Sequence, residues 1–234
     1  MLLGTLVRTQ PEDVGLLPDG DSELDRGSTP HMETTERGLT SREAVRSPAF
    51  WLLLSSFALV GFGIMGFQAN WVSFLREEGF SASQAAFGIL FYGVLSGASR
   101  PLWGLVGERI APRLLMAGST MFTGVSIVVF VNVTNIAQVT IYMAIAGVSM
   151  GGYLILQSLL TANYFGRQHL GAITGMMRPA AMIISASGPL LVGLLYDLNA
   201  NYTYAFLAAA AAWFIAGFFV LLAKPPRFAS VTGR

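Results

Sequence analysis

Long stretches without a formal charge set the frame for this chain. Arg46 and Arg76 bracket 29 such residues, Glu78 and Arg100 bracket 21, Arg113 and Arg167 bracket 53, and Asp197 and Lys224 bracket 26. About 20 apolar residues cross the hydrocarbon of a bilayer. Backbone groups there must pair within their own segment, which makes each crossing a helix. The longest run holds two crossings, with Asn132-Val-Thr-Asn135 as the turn between them. Gly171–Asp197 supplies one more, although it contains Arg178. Six helices are therefore predicted, at about 49–74, 81–106, 113–131, 136–163, 171–196 and 202–223. The expected fold class is an all-α membrane protein with a transmembrane domain over 48–224.

Only 12% of the residues are charged, about half the share of a soluble domain. Those charges are segregated, so the net charge of +1 says little: nine of the 13 acidic residues lie in the first 43. Residues 1–47 read as a cytoplasmic polar loop or tail, largely disordered. Residues 225–234 read as a cytoplasmic tail. Within the first segment, Thr40 and Glu43 have the spacing of a capping box for a short helix. The start, MLLGTLVRTQPED, is not read as a signal peptide. The absence of Cys excludes disulfides and thiolate metal sites.

Lys and Arg collect on one side of the predicted topology. Placing the tail inside puts 12 of the 14 there; only Arg76 lies outside, and Arg178 lies within the membrane. The positive-inside rule then makes both termini cytoplasmic. A multi-pass protein of the cell (plasma) membrane is expected. Asn132-Val-Thr134 and Asn201-Tyr-Thr203 match glycosylation sequons but sit close to the membrane.

On a helix at 100° per residue, Gly171, Gly175, Arg178, Met182, Ser185, Pro189, Gly193 and Tyr196 fall within about 40° of one line. Ile173, Ala180, Ile184 and Leu191 form the opposite face. A stripe of small and polar residues bearing one charge is expected to line a protein interior. Pro179 frees the carbonyl of Gly175, which predicts a kink. Three further pairs, Gly93/Gly97, Gly147/Gly151 and Gly171/Gly175, have the spacing of close helix packing.

Gly104-x-x-x-Glu108-Arg109-x-Ala111-Pro112-Arg113 stands between the second and third predicted helices. It resembles the inter-helix signature of the major facilitator superfamily, G-x-x-x-D-R-x-G-R-R. It departs at Glu108 for Asp, Ala111 for Gly and Pro112 for a basic residue. Ala162–Gly171, with Gly188-Pro189-Leu-Leu-Val-Gly193-Leu-Leu-Tyr-Asp197, is similar to helices ten and eleven of members near the oxalate/formate antiporter and monocarboxylate branches. Arg8–Gly20, followed by Arg42-Glu-Ala-Val-Arg46-Ser-Pro48, resembles the loop between the family's two six-helix halves. The resemblance covers nearly the whole chain and half of the family's twelve helices. It implies the C-terminal half of a transporter, built as two inverted three-helix repeats. Helices one, two, four and five would line the cavity, and three and six would face lipid. Met1–Val7 resembles the end of a preceding helix, which favours a fragment of a longer transporter over a half-size protein.

The candidate solute-binding residues are Arg178, Gln157, Tyr153 and Gln68. Arg178 suits a carboxylate through its planar fork. It also fits a pair within the protein, or a side chain snorkelling to the interface from about 10 Å deep. Tyr153 and Gln157 share a stripe with Tyr142, Ser149, Leu160 and Tyr164, and either bind solute or join helices. Arg100, Gly104, Glu108, Arg109, Arg113, Pro179, Gly188 and Pro189 are assigned to gating or structural roles, with solute contact the alternative for Arg100.

No enzymatic activity is expected. His31 and His169 lie in the tail and a loop, no carboxylate lies deep in a helix, and neither H-E-x-x-H nor a phosphate-cradling Gly-Lys-Ser/Thr is present. No cofactor, metal or nucleic-acid partner is expected. The expected function is alternating-access transport of a small solute, with an organic anion such as a monocarboxylate favoured by Arg178. The expected partners are that solute, the lipid bilayer, and an N-terminal half or a second copy. The competing class is a non-transporting scaffold or assembly subunit, or an inactive remnant.

Overall fold

A computed structural model describes residues 38–226, and the readings of residues 1–37 and 227–234 lie outside them. Seven helices follow in order: α1 (Ser41–Arg46), α2 (Pro48–Glu77), α3 (Ala82–Arg109), α4 (Pro112–Phe130), α5 (Ile136–Phe165), α6 (Leu170–Asn199) and α7 (Thr203–Leu222). No strand occurs among the described residues. The six helices α2–α7 are long and apolar enough to cross a membrane.

Local chemistry sets the ends. Thr40 caps α1 in a capping box with Glu43. Ser81 and Gln84 do the same for α3. Asn135, in the predicted turn, caps α5 by accepting from the Gln138 N–H at 3.0 Å. Gly166 ends α5 at φ 79°, a conformation that glycine adopts without Cβ strain. Pro112, a departure from the family signature, lies in the first turn of α4, where its missing N–H costs no hydrogen bond. α6 runs unbroken through both Pro179 and Pro189 and continues past Asp197 to Asn199.

The helices form two repeats, α2–α4 and α5–α7, that interlock. The first helix of each packs along the second and third helices of the other: α2 on α6 and α7, α5 on α3 and α4. The third helices, α4 and α7, pack on each other. Three is an odd number, so the second repeat enters from the opposite side and is inverted relative to the first. Matching hydrogen bonds express this symmetry. Ser185 of α6 donates to the Ala58 carbonyl of α2, and Ser99 of α3 donates to the Val148 carbonyl of α5.

Glycines set the helix spacing. A Cβ at Gly147 would meet the Tyr92 carbonyl at 2.7 Å, and one at Gly151 the Ser96 carbonyl at 2.5 Å. A Cβ at Gly188 would overlap the Phe62 carbonyl of α2. Of the three paired-glycine motifs, only Gly147/Gly151 packs as expected. Gly93, Gly97, Gly171 and Gly175 have no neighbouring atom within 4 Å of a built Cβ. The reason is positional: these four lie on the faces of α3 and α6 that no helix among the described residues covers.

The described chain has two ends. The basal end holds α1, the α3–α4 and α5–α6 turns and the end of α7. The distal end holds the other turns. An aromatic cluster fills the distal half. Phe67 lies 4.8 Å from Phe206, and Phe130 lies 4.2 Å from Tyr142, by ring centroid. Phe74 and Tyr202 flank them. At the basal end, Arg113 and the Tyr164 hydroxyl bond the Leu221 and Ala223 carbonyls that close α7. α1 seats Ala44 in the core, and the Leu39 N–H bonds Phe165 O at 2.8 Å.

Candidate functional site

α2, α5 and α6 line a half-open cavity of ≈420 Å³ in the basal half of the bundle. α2 contributes Phe57, Gly61 and Met65; α5 contributes Tyr153, Gln157 and Thr161; α6 contributes Thr174, Met177, Arg178 and Ser185. Three of the four predicted solute-binding residues thus meet in one space.

Hydrogen bonding separates these polar groups into two sets. The hydroxyls of Ser158, Thr161, Thr174 and Ser185 each donate to the carbonyl four residues earlier on their own helix. That pairing satisfies them locally. Tyr153, Gln157 and Arg178 have no side-chain hydrogen bond within the described residues. Arg178 is exposed and Gln157 half-buried, so either can take a new partner without breaking an existing bond. Their convergence therefore marks the part of the wall equipped to hold a polar ligand. The rest of the lining is largely apolar, which is the usual make-up of a small-molecule site.

Gln68, the fourth candidate, lies elsewhere. It lines a smaller, distal cavity of ≈50 Å³ with Phe67, Trp71, Tyr92, Tyr142 and Trp213. Its amide donates to the Tyr92 hydroxyl at 3.0 Å. Phe67 and Tyr142, with ring centroids 5.4 Å apart, line that distal cavity beside Gln68, and neither lines the basal one.

α6 meets α2 through Ser185, Gly188 and Val192, and Ile173 and Met177 are buried on the same side of the helix. This seam lies about a quarter turn from the small-residue stripe read in the sequence. Only Ser185 belongs to both. The stripe borders the cavity through Arg178 and leaves Gly171 and Gly175 exposed. Ile173, predicted to face away from the interior, is completely buried. Periodicity found an unusual face but not which face α2 covers.

The signature residues sit where α3 passes into α4. Arg100, Glu108 and Arg109 are exposed, and Gly104 has no close neighbour. Arg113 is the exception, through its bond to the end of α7. α3 and α6 are the least buried of the six long helices, whereas α4 and α7 each bury one face. Sequence reading missed the aromatic cluster and Tyr92. The spacing of Phe67, Trp71 and Phe74 on α2 was the available signal.

The model of the Major Facilitator Superfamily matches residues 52–233. The chain belongs to that superfamily. It is 28% identical over 193 residues to the oxalate:formate antiporter of Oxalobacter formigenes, covering 82% of this chain and 46% of that protein. It is also 29% identical over 125 residues to the multidrug resistance protein MdtG of Proteus mirabilis (strain HI4320), covering 53% and 30%. The chain spans less than half the length of these curated relatives. Family and helices together make it a multi-pass integral membrane protein with the helical repeats expected of half such a fold.

Proposed function

We propose that this superfamily member forms the C-terminal six-helix half of an alternating-access transporter for a small organic anion. The observation that carries the reading is the meeting of unpartnered Tyr153, Gln157 and Arg178 in one cavity between α2, α5 and α6. Arg178 would pair with a carboxylate, while Gln157 and Tyr153 would hydrogen-bond its oxygens. The printed name of one relative, an oxalate:formate antiporter, supports small carboxylates as the first solutes to test. The uncovered faces of α3 and α6 are suited to packing against a second six-helix half, which would complete the cavity. Arg42, Arg46, Arg109, Arg113, Arg167 and Lys224 gather at the basal end, and the positive-inside rule would place that end in the cytoplasm.

Proteoliposomes preloaded with formate test this reading. The chain co-reconstituted with a six-helix N-terminal half from a related transporter is expected to take up labelled oxalate or formate. The chain alone is expected to take up neither. Absence of uptake for every small carboxylate, with a partner half shown to bind, would favour the scaffold alternative.

A further inference from the structure

A second crevice, of ≈630 Å³, lies between α3, α4 and α5. It is separate from the solute cavity. The two spaces share no lining residue. Ala144 and Val148 of the crevice wall fall on the far side of α5 from Tyr153 and Gln157 at 100° per residue, while Ile145 and Ser149 lie on the flank between. Trp103 of α3 and Phe122 of α4 stand at its sides, and Gly118 leaves open space on α4.

The walls carry no charged side chain. Their polar side chains are Trp103, Ser119 and Ser149. The first two are satisfied: the Trp103 indole N–H donates to Val148 O at 2.8 Å, and Ser119 donates to Met116 O at 3.0 Å. Ser149 has no side-chain hydrogen bond, although its residue is only 5% exposed. An apolar crevice is thus left with one unpaired hydroxyl.

Depth narrows the occupant. Ser149 is near the middle of α5, on the order of 20 Å from either end at 1.5 Å per residue. A charged or zwitterionic headgroup would not be stable there. We propose that this crevice binds an uncharged amphiphile dissolved in the bilayer core, with an apolar body between Trp103 and Phe122 and one hydrogen-bonding group on the Ser149 hydroxyl. The proposal stands independently of the transport reading.

The test uses the full chain in phosphatidylcholine nanodiscs and a photoactivatable diazirine derivative of a sixteen-carbon alcohol. A diazirine alkane of equal length is the comparison. The alcohol is expected to label peptides containing Trp103 and Phe122, with saturation by unlabelled alcohol. Gly118→Leu is expected to cut that labelling at least tenfold, because its side chain fills the crevice; the space beside Gly118 lets the variant fold, as checked by its melting midpoint. Ser149→Ala is expected to lower alcohol labelling about three- to tenfold, the range for one net hydrogen bond, and leave alkane labelling unchanged. Equal labelling by alcohol and alkane in the parent chain would overturn the proposal. So would labelling that persists in folded Gly118→Leu, or competition by phospholipid but not by the alcohol.

Discussion

Leucine at Gly151 is expected to destabilise the six-helix bundle sharply, while leucine at Gly93 is expected to leave it unchanged. Both glycines belong to G-x-x-x-G pairs, but their surroundings differ. A Cβ at Gly151 would sit 2.5 Å from the Ser96 carbonyl and would overlap the Ser99 hydroxyl. Backbone cannot rotate aside as a flexible side chain can, so α3 and α5 must separate. The separation would also break the Ser99 and Trp103 bonds to Val148 O. Overpacking costs about 1–3 kcal/mol before any lost hydrogen bonds are counted. A loss of about 3 kcal/mol lowers the melting midpoint of a domain this size by roughly 6–12 °C. At Gly93 nothing among the described residues lies within 4 Å of an added Cβ, and the position is exposed. Thermal unfolding of both variants in detergent, followed by scattering at one heating rate, checks the pair. Equal midpoints would show that the α3–α5 contact is not as close as described.

The contrast between these glycines shows where sequence reading stops. The lengths of uncharged runs reveal six helices because hydrocarbon thickness fixes the number of apolar residues per crossing. Capping by Thr40 is local and was equally readable, whereas Asn135 was read only as part of a turn and its cap on α5 is seen in the structure. Helix pairing is not local. Gly93 and Gly147 look alike along the chain, yet only Gly147 meets a neighbouring backbone. The same limit applies to the site. Arg178, Gln157 and Tyr153 stood out as polar residues in apolar helices, and the fold brings them to one cavity. Gln68 stood out for the same reason, but α2 places it distal to Met65, the last α2 residue of that cavity, and beside Tyr92. Composition along one helix marks a polar side chain without giving its height relative to residues on other helices.

Replacing Arg178 by Ala is expected to weaken carboxylate binding about tenfold or more in the two-half assembly. A hydrogen bond to a charged group contributes roughly 1.5–3 kcal/mol, and each 1.4 kcal/mol is about a factor of ten in affinity. Arg178 is exposed in this half alone, so water competes with the anion until a second half closes over it; the lower end of that range is the expectation for a partly open site. Lysine keeps the charge and loses the planar fork, so Arg178→Lys should fall between the parent and Arg178→Ala. Arg178→Gln should resemble Ala. Folding should be little changed throughout, because Arg178 makes no hydrogen bond or ion pair among the described residues. Concentration dependence of oxalate uptake across the series checks this order. Identical affinity in all four proteins would assign Arg178 to the membrane interface.

The most direct test of the solute cavity uses the chain's lack of cysteine. Gln157→Cys places one thiol in the cavity wall beside Arg178 and Tyr153. In an assembly that takes up oxalate, the rate at which a small maleimide labels this thiol is measured with and without saturating oxalate. Slower labelling with oxalate, and no slowing at a control Cys replacing Ser73 on the distal part of α2, is the expected result. Equal labelling of Gln157→Cys with and without oxalate, in a preparation still transporting it, would show that the solute takes another path.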